Sequence, residues 1–349
     1  MKKYFIKTFG CLANESDSER IASFFEKRGF KPSTFEDANV IVINTCSVRE
    51  SAENRVFGLV NNLVKKGFDE KKKKIIITGC MVGSAKGERR RFSLKQLKKK
   101  FPDVCEFKTI DELVFSDSLP LRKRQAFALI PIMEGCNNFC SYCVVPFARG
   151  EEASRDFDEI ACEVETLSKK GYEEIMLLGQ NVNSYGKDLR SKKVSFANLL
   201  TRLNKIKGIK KISFMTSNPW DLTDDIIETF SLSKIDKYLH LPVQSGSDEI
   251  LKKMNRKYTS KDYLKLVSKI RKRIPEIKIG TDIIVGFPGE TEKQFEETLS
   301  LVKKINFVKA YISRYSPRPG TTASFLKDDV SPSEKRRRWK LLDELINKN

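Results

Sequence analysis

Histidine is almost missing from this chain, with one residue, His240, among 349. A closed zinc site is typically built from two C-x2-C pairs or from a C-x2-C pair with an H-x3-H pair, and one histidine cannot supply the second kind. Also missing is any apolar run long enough to span a bilayer. The start, MKKYFIKTFGC, places a cysteine and turn residues where a signal peptide needs its apolar stretch. These two absences predict a soluble, cytoplasmic protein with no membrane partner. Acidic residues are in deficit, 46 Asp and Glu against 66 Lys and Arg, for a formal charge of +20. Such an excess attracts polyanions at long range and in a salt-dependent way, so nucleic acid is the first partner to consider. A lysine-rich surface of solvated charge is the competing reading. Basic residues bunch at Lys71–Lys74, Arg89–Arg91, Lys98–Lys100, Arg122–Arg124 and Lys335–Arg338, which shifts the balance modestly toward nucleic acid.

What is present is length and cysteine. The chain is too long for one ordinary core, and its 40% hydrophobic and 10% aromatic content is that of a globular protein, so two domains are expected. Eight cysteines in a reducing compartment point to ligands, nucleophiles or small core residues, not disulfides.

Three runs in the first third, YFIKTFGC, NVIVINTC and KKIIITGC, read as buried strands, each ending in a cysteine. Helix signals follow the first two. Ser16 with Glu19 forms a possible capping box ahead of Ile21, Phe24 and Phe25, closed by Gly29. Ser47 with Glu50 precedes Val56, Leu59, Val60 and Leu63, closed by Gly67. Alternating strand and helix predict an α/β fold with a doubly wound parallel sheet, in which ligands gather at the carboxyl ends of the strands. Cys11, Cys46 and Cys80 would then share one edge.

The irregular stretch ELVFSDSLPLRKRQAF reads as a linker, which divides the chain into domains 1–120 and 121–349. Six further strand candidates follow: ALIPIM, EIMLLGQN, KISFMTSN, YLHLPVQS, IGTDIIVG and VKAYISRYS. Helical segments such as Ser260–Arg273 and Glu292–Ile305 separate most of them, the pattern of a partial (β/α) barrel. Cys136, Cys140 and Cys143, in EGCNNFCSYC, sit in the loop after the first of these strands, at the face where barrel active sites lie. No second ligand pair follows this triplet, which makes zinc the weaker reading, and a thioredoxin-type C-x2-C does not carry a third cysteine at this offset. Three soft thiolates can wrap three corners of an iron-sulfur cluster, leaving the fourth iron open for a substrate or cofactor.

The spacing C-x3-C-x2-C, with Tyr142 before the last cysteine, resembles the cluster motif of the radical S-adenosylmethionine (SAM) enzymes. FGCLANESDSE, NTCSVRE, TGCM, MEGCNNFCSYCVVPFARGEEASR, LLGQNVNSYG, HLPVQSGSDEILKKMNR and TDIIVGFPGET extend the likeness over nearly the whole chain, to the MiaB-like methylthiotransferase family. The resemblance implies two 4Fe-4S clusters, a SAM-cleaving one on Cys136, Cys140 and Cys143 and an auxiliary, sulfur-providing one on Cys11, Cys46 and Cys80. It also implies S-adenosyl-L-methionine as cofactor, a reducing electron donor, and a tRNA anticodon loop as partner, and a monomer is expected. SAM contacts carried over in the same way are Gly179, Gln180 and Asn181, then Gln244 and Ser245, then Gly286 to Glu290. For Gly286 and Gly289 a tight strand-to-helix turn is an equal alternative. Members usually end in a small β-barrel, TRAM, that helps bind tRNA. This chain ends at DELINKN soon after the basic run KRRRW, so RNA affinity is expected to rest on the other two domains.

The implied reaction is conversion of N6-isopentenyladenosine, beside the anticodon, to its 2-methylthio derivative. The same chemistry on threonylcarbamoyladenosine or on an aspartate of a ribosomal protein is the second reading, and a non-catalytic, metal-stabilised RNA-binding protein is the third. His240, in the apolar run YLHLPV, reads as a satisfied core residue, and Cys105 and Cys162 as core thiols. Arg149 and Arg155 either pair with Glu151 and Glu152 or contact nucleic acid or SAM. Anaerobically purified protein should carry iron and acid-labile sulfide; zinc at one equivalent without sulfide would return the chain to the third reading.

Overall fold

A computed structural model describes residues 1–48, 50–65, 73–87, 89–101, 105–114, 120–122, 124–189 and 194–348. The first five strands are β1 (Lys3–Phe9), β2 (Lys31–Pro32), β3 (Val40–Thr45), β4 (Lys74–Gly79) and β5 (Cys105–Phe107). They form one sheet in the order β2-β1-β3-β4-β5, parallel throughout. The near-continuous β-branched runs VIVINT and KIIITG suit it, because a parallel sheet is covered on both faces. Ile41, Ile43, Ile75 and Ile77 pack toward Val56, Val60 and Met81, whereas Val42 and Ile76 pack toward Ile21 and Phe25. Successive strand residues point to opposite faces, so these are the two sides of one sheet.

In this strand order the winding reverses between β1 and β3, where open α/β sheets form a ligand crevice. The register runs Phe9↔Thr45 and Thr45↔Gly79, so the carboxyl ends of β1, β3 and β4 are level. Cys11, Cys46 and Cys80 therefore leave the sheet along one edge, as expected.

The remaining strands are β6 (Phe127–Pro131), β7 (Met133–Glu134), β8 (Ala153–Ser154), β9 (Glu174–Leu178), β10 (Lys211–Phe214), β11 (Tyr238–His240), β12 (Lys278–Val285) and β13 (Lys309–Arg314). Two three-stranded parallel sheets, β6-β9-β10 and β11-β12-β13, are joined by a bridge between Ile212 and Ile235. Helices including Phe157–Lys169, Phe196–Asn204, Asp224–Thr229, Ser260–Arg273, Glu292–Ile305 and Pro332–Asn347 alternate with them and pack outside. The result is an open (β/α) barrel with all six predicted strands in place, its carboxyl mouth turned toward the first sheet. Among the described residues no helix is long and apolar enough to cross a membrane.

Some local expectations are corrected. The first helix, Leu12–Glu26, begins ahead of the Ser16/Glu19 box, with Cys11 as N-cap and the Asn14 side chain accepting the Cys11 N–H at 3.3 Å. Asn14 is locked against Asn44, which donates to its carbonyl at 2.8 Å, and Glu19 is drawn instead to Arg122. Ser47 hydrogen-bonds Glu53 at 2.9 Å instead of closing a box with Glu50, and Gly67 lies outside the described residues. Residues 71, 72 and 123 of the basic runs, and 115–119 of the expected linker, also lie outside them. Arg91, Arg122 and Arg338 belong to basic runs yet turn inward, each side chain 5% exposed or less and ion-paired. Cys162 is exposed on the helix Phe157–Lys169, not a core thiol, whereas Cys105 is buried. Burial pushes the Cys105 thiol up to about 12, so it stays protonated at pH 8. In the native apoprotein iodoacetamide at pH 8 should label Cys162 well before Cys105, as read by peptide mass spectrometry.

Candidate metal centres

The C-x3-C-x2-C loop is pinned from several sides. Its base is the short antiparallel pair β7-β8, and Cys136 N–H donates to the Gly150 carbonyl at 3.2 Å. At its tip, Ser141 donates through its N–H to Met254 (3.0 Å) and through its hydroxyl to Lys253 (2.8 Å), and Asn255 donates to the Phe139 carbonyl (3.0 Å). Sulfur atoms are already addressed by donors: the Val145 N–H lies 3.4 Å from Cys143 Sγ, and Arg256 Nη1 lies 3.5 Å from Cys140 Sγ. Burial pushes the Cys136 thiol up to about 11 and the Cys143 thiol to about 12, with neighbouring thiols adding to the rise. Proton release from these thiols is therefore tied to the arrival of a metal. Arg256 is buried, donates to the Asn218 side chain at 3.2 Å and to the Pro242 carbonyl at 2.9 Å, and stacks on Trp220 at 4.5 Å.

The second triplet lies on the sheet edge. Cys11 caps the helix Leu12–Glu26, Cys80 opens the helix Cys80–Lys86, and Cys46 Sγ accepts the Val48 N–H at 3.4 Å. Burial raises the Cys80 thiol above its ordinary range; the Arg149 guanidinium opposes this, and Cys46 and Cys11 add to it, which places the three thiols within electrostatic reach of one another.

Arg149 comes from the other half of the chain, just after the cysteine loop. It forms a 2.6 Å ion pair with buried Asp17, while Arg155 pairs with Glu163 at 2.9 Å. Neither pairs with Glu151 or Glu152; Glu151 instead pairs with Arg89. The halves also touch at Gly83, where a Cβ would run into the Ala148 carbonyl oxygen, so the residue must be glycine for the helix after Cys80 to lie against Val145–Ala148. Arg91 completes the seam. Its Nη2 is 2.5 Å from Ser47 Oγ and its Nη1 is 3.1 Å from the Pro319 carbonyl, while Arg318 meets Glu53 at 2.6 Å. Burial brings Arg91 down to about 10, Glu53 opposes that, and Cys80 and Cys143, one thiol from each triplet, pull the same way as Glu53.

The donor set fits iron-sulfur clusters. Each triplet offers three soft thiols, the donors such clusters take, with N–H or guanidinium groups already facing sulfur at Cys46, Cys140 and Cys143. Fit to SAM rests on unpaired polar atoms. Buried side-chain atoms without a partner include Asn138 Nδ2, Gln180 Oε1, Asn181 Oδ1, Asn183 Oδ1, Ser217 Oγ and Gln244 Oε1, all in the cysteine loop or just past the carboxyl ends of β9, β10 and β11. Buried groups of this kind are normally paired, so their concentration at the barrel mouth marks a place for a polar ligand.

Of the residues expected to contact SAM, Gln180, Asn181 and Gln244 thus each carry an unpaired buried atom just past a strand end. Gly179 packs against Met133. Ser245 Oγ faces Thr298 Oγ1 at 3.3 Å, and the Glu290 carboxylate is engaged by the Gly286 N–H (2.6 Å) and Arg338 (2.8 Å). Asn138, Asn183 and Ser217 were not singled out in the sequence, because isolated amides and hydroxyls in loops carry no period. A cavity of about 720 Å³ opens beside the mouth, lined from both halves by Val48, Glu50, Tyr142, Cys143, Gln244 and Asp282 among others. His240 lies behind this cavity, 3.1 Å from Asp282, buried and satisfied.

A family model for the radical SAM superfamily matches residues 130–302, and one described as uncharacterized protein family UPF0004 matches residues 3–101. A tRNA-2-methylthio-N(6)-dimethylallyladenosine synthase of Clostridium botulinum (strain Langeland / NCTC 10281 / Type F) is 46% identical, with 99% of this chain and 81% of the relative covered. Enzymes of the same name from Clostridium tetani (strain Massachusetts / E88) and Thermoanaerobacter sp. (strain X514) are 45% and 44% identical, each over 99% of this chain and over 81% and 78% of their own length. Among solved structures, the radical SAM methyltransferase TsrM from Kitasatospora setae matches with a TM-score of 0.61 at 12% identity, over 93% of this chain and 74% of its own. The cobalamin-dependent radical enzyme OxsB matches with a TM-score of 0.57 at 12% identity, over 100% of this chain and 55% of its own. These two share the fold.

Removing one partner of the buried Arg149–Asp17 pair strands a charge, at a cost of about 3–5 kcal/mol. Arg149→Met should therefore lower the urea midpoint of the apoprotein strongly, and adding Asp17→Asn should recover much of the loss.

Proposed function

The chain belongs to the family of tRNA-2-methylthio-N(6)-dimethylallyladenosine synthases within the radical SAM superfamily, and on that premise we propose that it converts N6-isopentenyladenosine beside the tRNA anticodon to its 2-methylthio derivative. Membership of the superfamily implies S-adenosylmethionine and a 4Fe-4S cluster. In this reading Cys136, Cys140 and Cys143 hold that cluster within a radical SAM core of residues 121–349. Cys11, Cys46 and Cys80 hold a second cluster within residues 1–120. When bound, these groups supply hydrogen abstraction from an unactivated C–H bond, the sulfur, and the methyl group.

The observation that carries the proposal is the seam at Gly83, Ala148, Arg149 and Arg91, where the two halves touch, Arg149 lies within electrostatic reach of Cys80 and Arg91 within reach of both Cys80 and Cys143, with a cavity built by both halves beside it. A reaction that needs both centres at one carbon requires them on one side of one pocket. The protein's own residues then have defined tasks. Arg256 points a donor at Cys140 Sγ, the Val145 N–H and Arg256 favour the charged form of Cys143, and Arg149 does the same for Cys80. Gln180, Asn181, Gln244 and their unpaired neighbours receive the polar groups of SAM. A base in a single-stranded anticodon loop can be splayed into such a pocket, and the charge of +20 draws in the phosphates around it. A reducing partner delivers the electrons, and the enzyme works as a cytoplasmic monomer.

With reconstituted protein under anaerobic conditions, Cys136→Ala should abolish both 5′-deoxyadenosine formation and methylthiolation. Cys46→Ala should keep the first and lose the second, as read by mass spectrometry of small molecules and of digested tRNA. Methylthiolation at the native rate by Cys46→Ala would remove the second cluster from the proposal.

A further inference from the structure

The far wall of the shared cavity carries a built acceptor. Along β12 the alternation of the strand turns Gly280, Asp282 and Ile284 to one face, and β13 sets Tyr311 beside Asp282 and Ser313 beside Ile284. Asp282, Ile284, Tyr311 and Ser313 all line the cavity. The Asp282 carboxylate is 38% exposed there, and among the described residues no Lys or Arg is paired with it. Its Oδ2 is held from behind by His240 Nε2 at 3.1 Å, and the Tyr238 hydroxyl lies 3.5 Å from His240 Nδ1. A Cβ on Gly280 would collide with that hydroxyl, so glycine at this point of the strand gives the phenol its room. A carboxylate oxygen only accepts, so the hydrogen between the two groups sits on His240 Nε2, which donates to Asp282 Oδ2 and fixes the carboxylate by one oxygen, leaving Oδ1 for the cavity. Tyr311, packed edge-on against the imidazole at 5.5 Å and 44% exposed, offers an aromatic face next to that oxygen. Ile284 and Val48, the latter 49% exposed, supply apolar surface.

We propose that Asp282, oriented by His240, accepts the N6–H of the substrate adenine, with Tyr311 against the base and Val48 and Ile284 beside the N6 substituent. This rests on the function proposed above and names how that site selects its substrate. Adenine occurs both in the RNA and in SAM. The RNA base is the occupant argued for here, because Val48 and Glu50 of the first half help line this cavity, and of the unpaired polar groups suited to SAM, Gln244 is the one that reaches its lining, at the border of the two sites, while the others stand in the cysteine loop or past β9 and β10. A fixed carboxylate accepts from an exocyclic N–H and repels another carboxylate, so the wall also disfavours a protein aspartate as substrate.

The test uses the full reconstituted chain and three anticodon stem-loop RNAs, carrying N6-isopentenyladenosine, N6-methyl-N6-isopentenyladenosine, which has no N6–H, or adenosine, with affinities read by fluorescence anisotropy. A hydrogen bond to a charged acceptor corresponds to about a 10- to 100-fold preference for the first RNA over the second. Asp282→Asn keeps the shape, and so any clash with the extra methyl group, and should cut that ratio several-fold. His240→Gln should cut it partially, and both variants should leave the melting temperature and SAM affinity near wild type. A ratio unchanged in Asp282→Asn, or a loss of SAM binding in place of RNA discrimination, overturns the assignment. Failure of the wild type to prefer the prenylated RNA over plain adenosine overturns the proposed substrate itself, which the first and third RNAs read separately.

Discussion

Two buried arginines at the seam, Arg149 and Arg91, are the constraint around which the rest of this molecule is arranged. A guanidinium cannot be left uncompensated away from water, so each must be met by groups brought from both halves of the chain. Arg149 leaves the cysteine loop of the barrel and reaches Asp17 on the first helix of the sheet, and Arg91, held by Ser47 of its own half, reaches across to the Pro319 carbonyl. These contacts are made beside thiols, so the groups that dock the halves also set the charge around both triplets. Docking and chemistry are thereby hard to separate by mutation.

The polar groups at the barrel mouth show the opposite economy. Elsewhere buried polar groups are paired in locks such as Asn14–Asn44 and Glu290–Arg338, with single atoms of Ser16, Thr78, Arg91 and Arg318 left over. At the mouth a ring of amides and hydroxyls is left unpaired, which costs stability in the empty protein and is recovered when a polar ligand arrives. Asp282 belongs to the same logic on the other wall, since one of its oxygens is fixed from behind and the other stays open.

Regular elements were the most legible part. β-branched runs of strand length, spaced by amphipathic helices, identified three strands of the sheet and all six of the barrel, because burial on both faces leaves a strong apolar signature. The short strands β2 and β5, of two and three residues, lacked the length to register. Capping signals misled at Ser16, where a longer-range lock between Asn14 and Asn44 decides where the helix begins. Cys162 looked like a core thiol because it lies in a helical stretch, but it stands exposed on its helix.

By itself the sequence determined the two cysteine triplets, the strand ends that carry them and the family they belong to, because ligand spacing and strand periodicity are local properties. Only the tertiary structure decided that one thiol of each triplet lies within electrostatic reach of the same seam arginine, that Arg149 pairs with Asp17 and not with its sequence neighbours, and that His240 stands behind an aspartate in a cavity. Those relations join residues far apart in the chain, and they follow from strand register and the docking of two separately wound halves, for which no short stretch of sequence carries a signal.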